Sequence, residues 1–152
     1  MTNIIENIKH TRKFIVDGLN DFTIKELNTI PPGFNNNIIW NLGHLVAAQQ
    51  DLCYQRAGLN MHIDESYFDK YKRGSKPEAP VTETELALIK KLHIETLDLL
   101  IADYKTQLFE NYTPFVTRYG VELKNINDAI HFVLYHEGLH GGIIMMLKRL
   151  VK

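Results

Sequence analysis

The apolar residues of this chain recur at the period of an α-helix through four long segments, and no stretch alternates with period two for long enough to build a sheet. That pattern confines the chain to helices that each bury one stripe against the others. The first segment, residues 3–20, places Ile4, Ile8, Ile15 and Leu19 near a period of 3.6, with Phe14 and Val16 widening the stripe. The second, residues 36–58, opens after Asn35, Asn36 and Asn37, any of which can accept hydrogen bonds from the free amides of a first turn. Ile38, Leu42, Leu45 and Cys53 form one apolar face of this segment. Trp40, Gly43, His44, Ala47 and Ala48 form another, so the helix is expected to be buried on most of its circumference.

The third segment begins at Thr82-Glu83-Thr84-Glu85, a capping box in which the Thr oxygen and the Glu side chain satisfy first-turn amides reciprocally. Leu86, Ile89, His93, Leu97, Leu100, Tyr104 and Leu108 follow at helical spacing up to Asn111. Asn125 caps the fourth, with Asp128 in its first turn and Lys148, Arg149 and Lys152 at its end, signs that suit the helix dipole. The connections carry the breakers. Pro31, Pro32 and Gly33 cannot continue a helix, and 58–81 is polar and irregular with one short helix expected around Glu65 to Tyr71. Residues 115–123 suit an extended excursion or a small hairpin. The expected fold class is all-α, a four-helix bundle with long crossover connections, in a single domain over residues 1–152.

A chain of 152 residues, 45% hydrophobic, can bury a core without staples. Its one cysteine, Cys53, excludes an internal disulfide framework and any Cys-rich zinc module, and suits a reducing compartment. Cys53 falls on the core side of its helix, where a thiol behaves as a small hydrophobe. Lys+Arg 17 against Asp+Glu 18 gives a net charge of -1, which provides no basic face for nucleic acid or for a membrane surface. The first ten residues lack the basic-then-apolar order of a signal peptide, and the apolar runs are too short to span a bilayer. A cytoplasmic protein is expected.

Seven histidines then need an explanation. His136-Glu-Gly-Leu-His140 puts two imidazoles one helical turn apart on one face, where both can reach one metal ion. The string also matches the zinc-protease signature H-E-x-x-H, whose glutamate is a general base. The surroundings argue against a protease: no His, Asp or Glu follows between Gly141 and Lys152 to supply a third ligand, and an all-helical chain offers no sheet edge for a peptide. A third ligand must come from elsewhere. His44, one turn after Trp40 and flanked by the small residues Gly43 and Ala47, is the best candidate, against the alternative of a core histidine satisfied by a carbonyl or a water. His93 sits among apolar neighbours and suits either a cavity wall or the core; His131 suits a bundle end, and His10 and His62 suit solvent or loops. Glu137 points about 100° away from its histidine neighbour and reads as a supporting residue.

The string from Pro31 through Trp40 to His44, followed by Tyr135-His-Glu-Gly-Leu-His-Gly-Gly142, resembles the DinB/YfiT-like family of small metal-binding bundles. The resemblance spans essentially the whole chain and is most specific in its Trp-x-x-x-His and His-x-x-x-His motifs. It implies a four-helix bundle, often a homodimer, in which His44, His136 and His140 hold a divalent metal ion, commonly zinc or nickel. Three neutral imidazoles would leave a coordination position open for water or substrate. The resemblance offers two precedents for chemistry: transfer or isomerisation dependent on a low-molecular-weight thiol, which is preferred, and metal-assisted hydrolysis. The rival reading is a non-catalytic metal-binding or interaction module. Phe34, Trp40, Tyr54, Tyr67, Phe68, Tyr71, Tyr112 and Phe115 flank the long connections and suit either an entrance or ordinary packing.

Overall fold

A computed structural model describes residues 1–152 and gives an all-α bundle. Four long helices form it: α1 (Thr2–Asp17), α3 (Ile38–Cys53), α5 (Glu83–Lys105) and α6 (Ile126–Leu150). Two short helices, α2 (Ile24–Asn28) and α4 (Glu65–Tyr71), lie in the connections, and a two-stranded antiparallel hairpin, β1 (Phe115–Val116) with β2 (Glu122–Leu123), precedes α6. Both α1 and α3 pack on α5 and on α6. Helices consecutive in sequence, α1 with α3 and α5 with α6, therefore lie on diagonals, and a chain needs long connections to cross a bundle end in this way. No helix is long and apolar enough to cross a membrane.

The caps lie where the side-chain chemistry asks for them. Asn37 accepts from the Trp40 amide, Asn125 from those of Asn127 and Asp128, and the Thr82–Glu85 capping box is complete. A second complete capping box, Thr23 with Glu26, starts α2 inside what the proline-rich sequence presents as a plain connector. Each such cap contributes about 1 kcal/mol. The expectation of a buried second helix holds, for nearly every residue of α3 is inaccessible, and residues 115–123 take the hairpin alternative.

Three details of the periodic reading change. Phe14 does not widen the α1 stripe; it is 72% exposed, while Arg12 takes a buried place on that face. The first helix ends at Asp17, and Leu19 packs from the turn beyond it. The third ends at Lys105, because Thr106 caps it and Gln107 adopts a left-handed φ of 58°, so exposed Leu108 lies past the end and Phe109 is the residue that turns inward.

The interior is two apolar clusters. One gathers Ile15, Leu45, Ile89 and Ile144, the other Ile8, Leu52, Leu97 and Val133. Between these residues on three of the helices stand Arg12 of α1, His93 of α5 and Glu137 of α6. Arg12 is fully buried and bonds to all three other long helices: Nε and Nη2 donate to Glu137 Oε1 at 3.0 and 2.7 Å, Nη1 to the His93 carbonyl at 3.2 Å, and Nη2 to the Leu45 carbonyl at 2.9 Å. His93 Nε2 donates to the Leu42 carbonyl at 2.8 Å, and burial pushes its pKa down to about 3. A neutral imidazole at this place is therefore core structure, settling the choice left open for His93.

Removing one member of a buried ion pair strands the other charge, at a cost of roughly 3–5 kcal/mol, whereas replacing both by apolar groups costs far less. Arg12→Met is therefore expected to lower the free energy of unfolding in urea by about that amount. The double variant Arg12→Met/Glu137→Leu is expected to recover most of the loss.

Candidate metal centre

His44 projects from the middle of α3, and His136 and His140 from successive turns of the facing helix α6. Their ligand nitrogens all lie within 4.8 Å of one another, and no other His, Cys, Asp or Glu joins the group. The ring centroids are 4.4 Å apart for His136 and His140, 4.8 Å for His44 and His140, and 5.2 Å for His44 and His136. Three imidazole nitrogens gathered this closely could hold one metal ion.

Two of the rings are held by their outer nitrogens. His44 Nδ1 donates to the Tyr71 carbonyl at 2.8 Å, which leaves the Nε2 lone pair free. His140 Nδ1 donates to Asn41 Oδ1 at 2.8 Å with the same result. The orientation of the Asn41 amide is fixed because its Nδ2 donates to the Asn37 carbonyl at 2.8 Å, and Asn37 Nδ2 in turn donates to the Asn28 carbonyl at 3.0 Å. A line of asparagines thus runs from the α2 terminus to a ring of the site. Outer bonds of this kind select the tautomer that can ligate a metal and fix the ring plane.

Gly43 makes the first of these bonds possible. A Cβ added there would overlap the ring of Tyr71, so α4 approaches α3 closely enough to present its last carbonyl to His44 only because residue 43 has no side chain. Trp40 stacks on the face of the His44 ring, with ring centroids 4.7 Å apart and planes 10° from parallel. Burial depresses the pKa of His44, that of His140 to about 4 and that of His136 to about 2, with the neighbouring imidazoles adding to the last two. All three are neutral at pH 7, the state a metal needs.

The three histidines line a cavity of about 330 Å³, with Trp40, Phe68, Phe115 and Phe132 among its walls. Tyr54, Tyr67, Tyr71 and Tyr112, like Phe34, do not line it and serve as packing. Nor does Glu137, whose carboxylate is 1% exposed and held by Arg12, so it has no access to a water at the site and the H-E-x-x-H general-base role is closed to it. Cys53 is buried with its pKa pushed up to about 12, as suits a core thiol. His93 lies outside the cavity. His131 bonds the Asn127 carbonyl near the start of α6, His62 pairs with Asp103, and His10 is exposed.

Sequence reasoning missed Asn41 and Arg12, and it did not anticipate the part played by Tyr71. Two of these had a visible signal, a polar residue at a spacing that puts it on the helix face turned inward. The Tyr71 carbonyl had none, since a backbone acceptor carries no residue signature.

The family model of the DinB superfamily matches residues 8–144, a span that holds all three histidines. No curated protein matches the chain. Gly43→Ala is expected to displace Tyr71 and weaken divalent-metal binding at the three histidines about 10- to 100-fold, the usual effect of losing an outer partner of a ligand. Competition titration with a zinc chelator reads the change, and circular dichroism shows whether the helices stay intact.

Proposed function

The chain belongs to the DinB superfamily, and we propose that it is a metal-dependent enzyme in which His44, His136 and His140 hold a divalent ion, zinc or nickel, and the open position takes a low-molecular-weight thiol for transfer to an electrophile. The observation that carries this reading is three neutral imidazoles with no fourth protein ligand, at the wall of a cavity with room for a substrate. A structural zinc site normally closes its fourth position with protein. A divalent ion bound there would lower the pKa of a thiol or water enough to supply a nucleophile at neutral pH.

The protein's own residues would do the rest. Tyr71 and Asn41 hold two of the rings in the ligating tautomer, and Trp40 fixes the plane of His44. Phe68, Phe115 and Phe132 present an apolar wall that keeps bulk water from a reactive sulfur. Metal-assisted hydrolysis would use the same residues, with water in place of the thiol.

We also propose a homodimer formed through α6. Tyr135, Leu139, Met146 and Leu150 are exposed along one side of this helix, and Gly138 and Gly142 between them have open space where a side chain would stand. Light scattering at tens of micromolar is expected to give twice the chain mass, and Leu139→Glu/Met146→Glu is expected to give the single-chain mass. A monomeric wild type would overturn the dimer.

Metal analysis of untagged protein prepared without chelators is expected to find about one equivalent of a divalent ion, and each of His44→Ala, His136→Ala and His140→Ala is expected to lose most of it. With 1-chloro-2,4-dinitrobenzene as acceptor, a panel of thiols should show a metal-dependent rate as the S–C bond forms and chloride leaves. Folded wild type that takes up no metal would demote the three histidines to core residues. Bound metal with no thiol rate would favour the hydrolase or the non-catalytic module.

A further inference from the structure

The chain as a whole carries a net charge of -1, yet the cavity beside the three histidines is lined by four cationic side chains, Arg56, Lys72, Arg73 and Arg118, and a single carboxylate, Asp51. Three separate pieces of chain bring them there: the 3-10 turn after α3 supplies Arg56, the turn after α4 supplies Lys72 and Arg73, and the loop between β1 and β2 supplies Arg118. Lys72 pairs with Asp69 at 2.7 Å, as Lys13 pairs with Asp17 and Lys70 with Glu85 elsewhere on the surface. Neither Arg73 nor Arg118 forms an ion pair, and Arg56 reaches Asp51 only at 3.7 Å and has a buried Nε with no hydrogen-bond acceptor.

Aromatic faces, not carboxylates, position two of these guanidiniums. Arg56 lies over the Phe115 ring with 4.1 Å from its Cζ to the centroid, and Arg118 over Tyr119 at 5.2 Å. Stacking orients a guanidinium without neutralising it and leaves its N–H edge free for a planar anion. The turn after α4 is tied to the metal centre as well. Trp40, stacked on His44, donates from Nε1 to Ser75 Oγ at 3.0 Å, and that hydroxyl bonds the Lys72 carbonyl at 2.9 Å. Arg56, Lys72 and Arg73 also wall an adjoining hollow, which puts these charges between the cavity and the outer surface.

We infer that the substrate taken at this site is an anionic small molecule, with carboxylate or phosphate oxygens bound by Arg73 and Arg118, supported by Arg56 and Lys72, while its reacting end lies toward His44, His136 and His140. This rests on the reading of the histidine cluster as a substrate-binding metal site. Charge-assisted bonds from guanidiniums are short and directional, so they fix the orientation of a ligand as well as holding it. The cationic mouth also raises the local concentration of anions and speeds their entry at low salt.

Trp40 is the only tryptophan and lines the cavity, so its fluorescence reports occupancy directly. Zinc-loaded protein is titrated with mercaptosuccinate and with its dimethyl ester, which keeps the thiol and the skeleton but masks both charges. The dianion is expected to bind at least about 10-fold more tightly, a gap that shrinks at high salt and disappears in Arg73→Ala/Arg118→Ala while zinc content and affinity for the ester stay unchanged. Equal affinity for dianion and ester, a gap that persists in the double variant, or no saturable response to any dianion overturns the inference. Succinate against dimethyl succinate makes the same comparison without a thiol. If mercaptosuccinate binds no better than succinate, the thiol reading falls, and the anion assignment is decided by the succinate pair alone.

Discussion

The buried guanidinium of Arg12 is the contact on which the rest of this bundle depends. It is the one side chain of α1 that bonds to α3, α5 and α6 together, and it lies between the two apolar clusters. Apolar contact is non-directional and tolerates small shifts at a cost set by the fit of side-chain shapes. A fork of N–H donors does not. Sliding α6 by one turn would leave both Arg12 and Glu137 charged and unpaired inside the protein, which costs several kcal/mol. Glu137 lies directly beside His136 in sequence and one turn before His140, so the same pair that fixes the height of α6 fixes the height of two candidate ligands.

That arrangement gives a new meaning to the H-E-x-x-H string. In a zinc protease the glutamate serves the chemistry; here the helix is turned so that the histidines face α3 and the cavity while the glutamate faces α1. Residues adjacent on a helix point about 100° apart, so one turn of chain can serve two environments at once. Anchoring and the candidate metal site are thereby divided between neighbouring residues, with the carboxylate inaccessible and the imidazoles at a cavity wall.

Outward from the histidines the structure is layered. The rings are held by a backbone carbonyl and an asparagine amide, those partners by α4 and by the Asn28, Asn37 and Asn41 line, and α4 by the missing side chain at Gly43. The long connections, which look in sequence like mere crossings, thus supply the support of the site and most of its charge. Loops that run over the end of a rigid bundle are free to vary without unfolding it, which is why binding groups collect on them.

Much of this was readable from one dimension. Helix existence, a cap among Asn35–Asn37, the caps at Thr82 and Asn125 and the short helix at Glu65–Tyr71 follow from spacing and cap chemistry, which are local, whereas the grouping of His44 with His136 and His140 came from the family resemblance, since His44 is far from the other two along the chain. Tertiary structure alone decided that Arg12 displaces Phe14 from the interior, that His93 is core and not cavity, that Tyr71 offers its carbonyl to His44, and that Arg56, Arg73 and Arg118 converge from three segments. The physical reason is the same in each case. Periodicity tells which face of a helix turns inward but not what it meets there, and a polar group can be buried only where another element supplies its partner, a fact that no position in the chain records by itself.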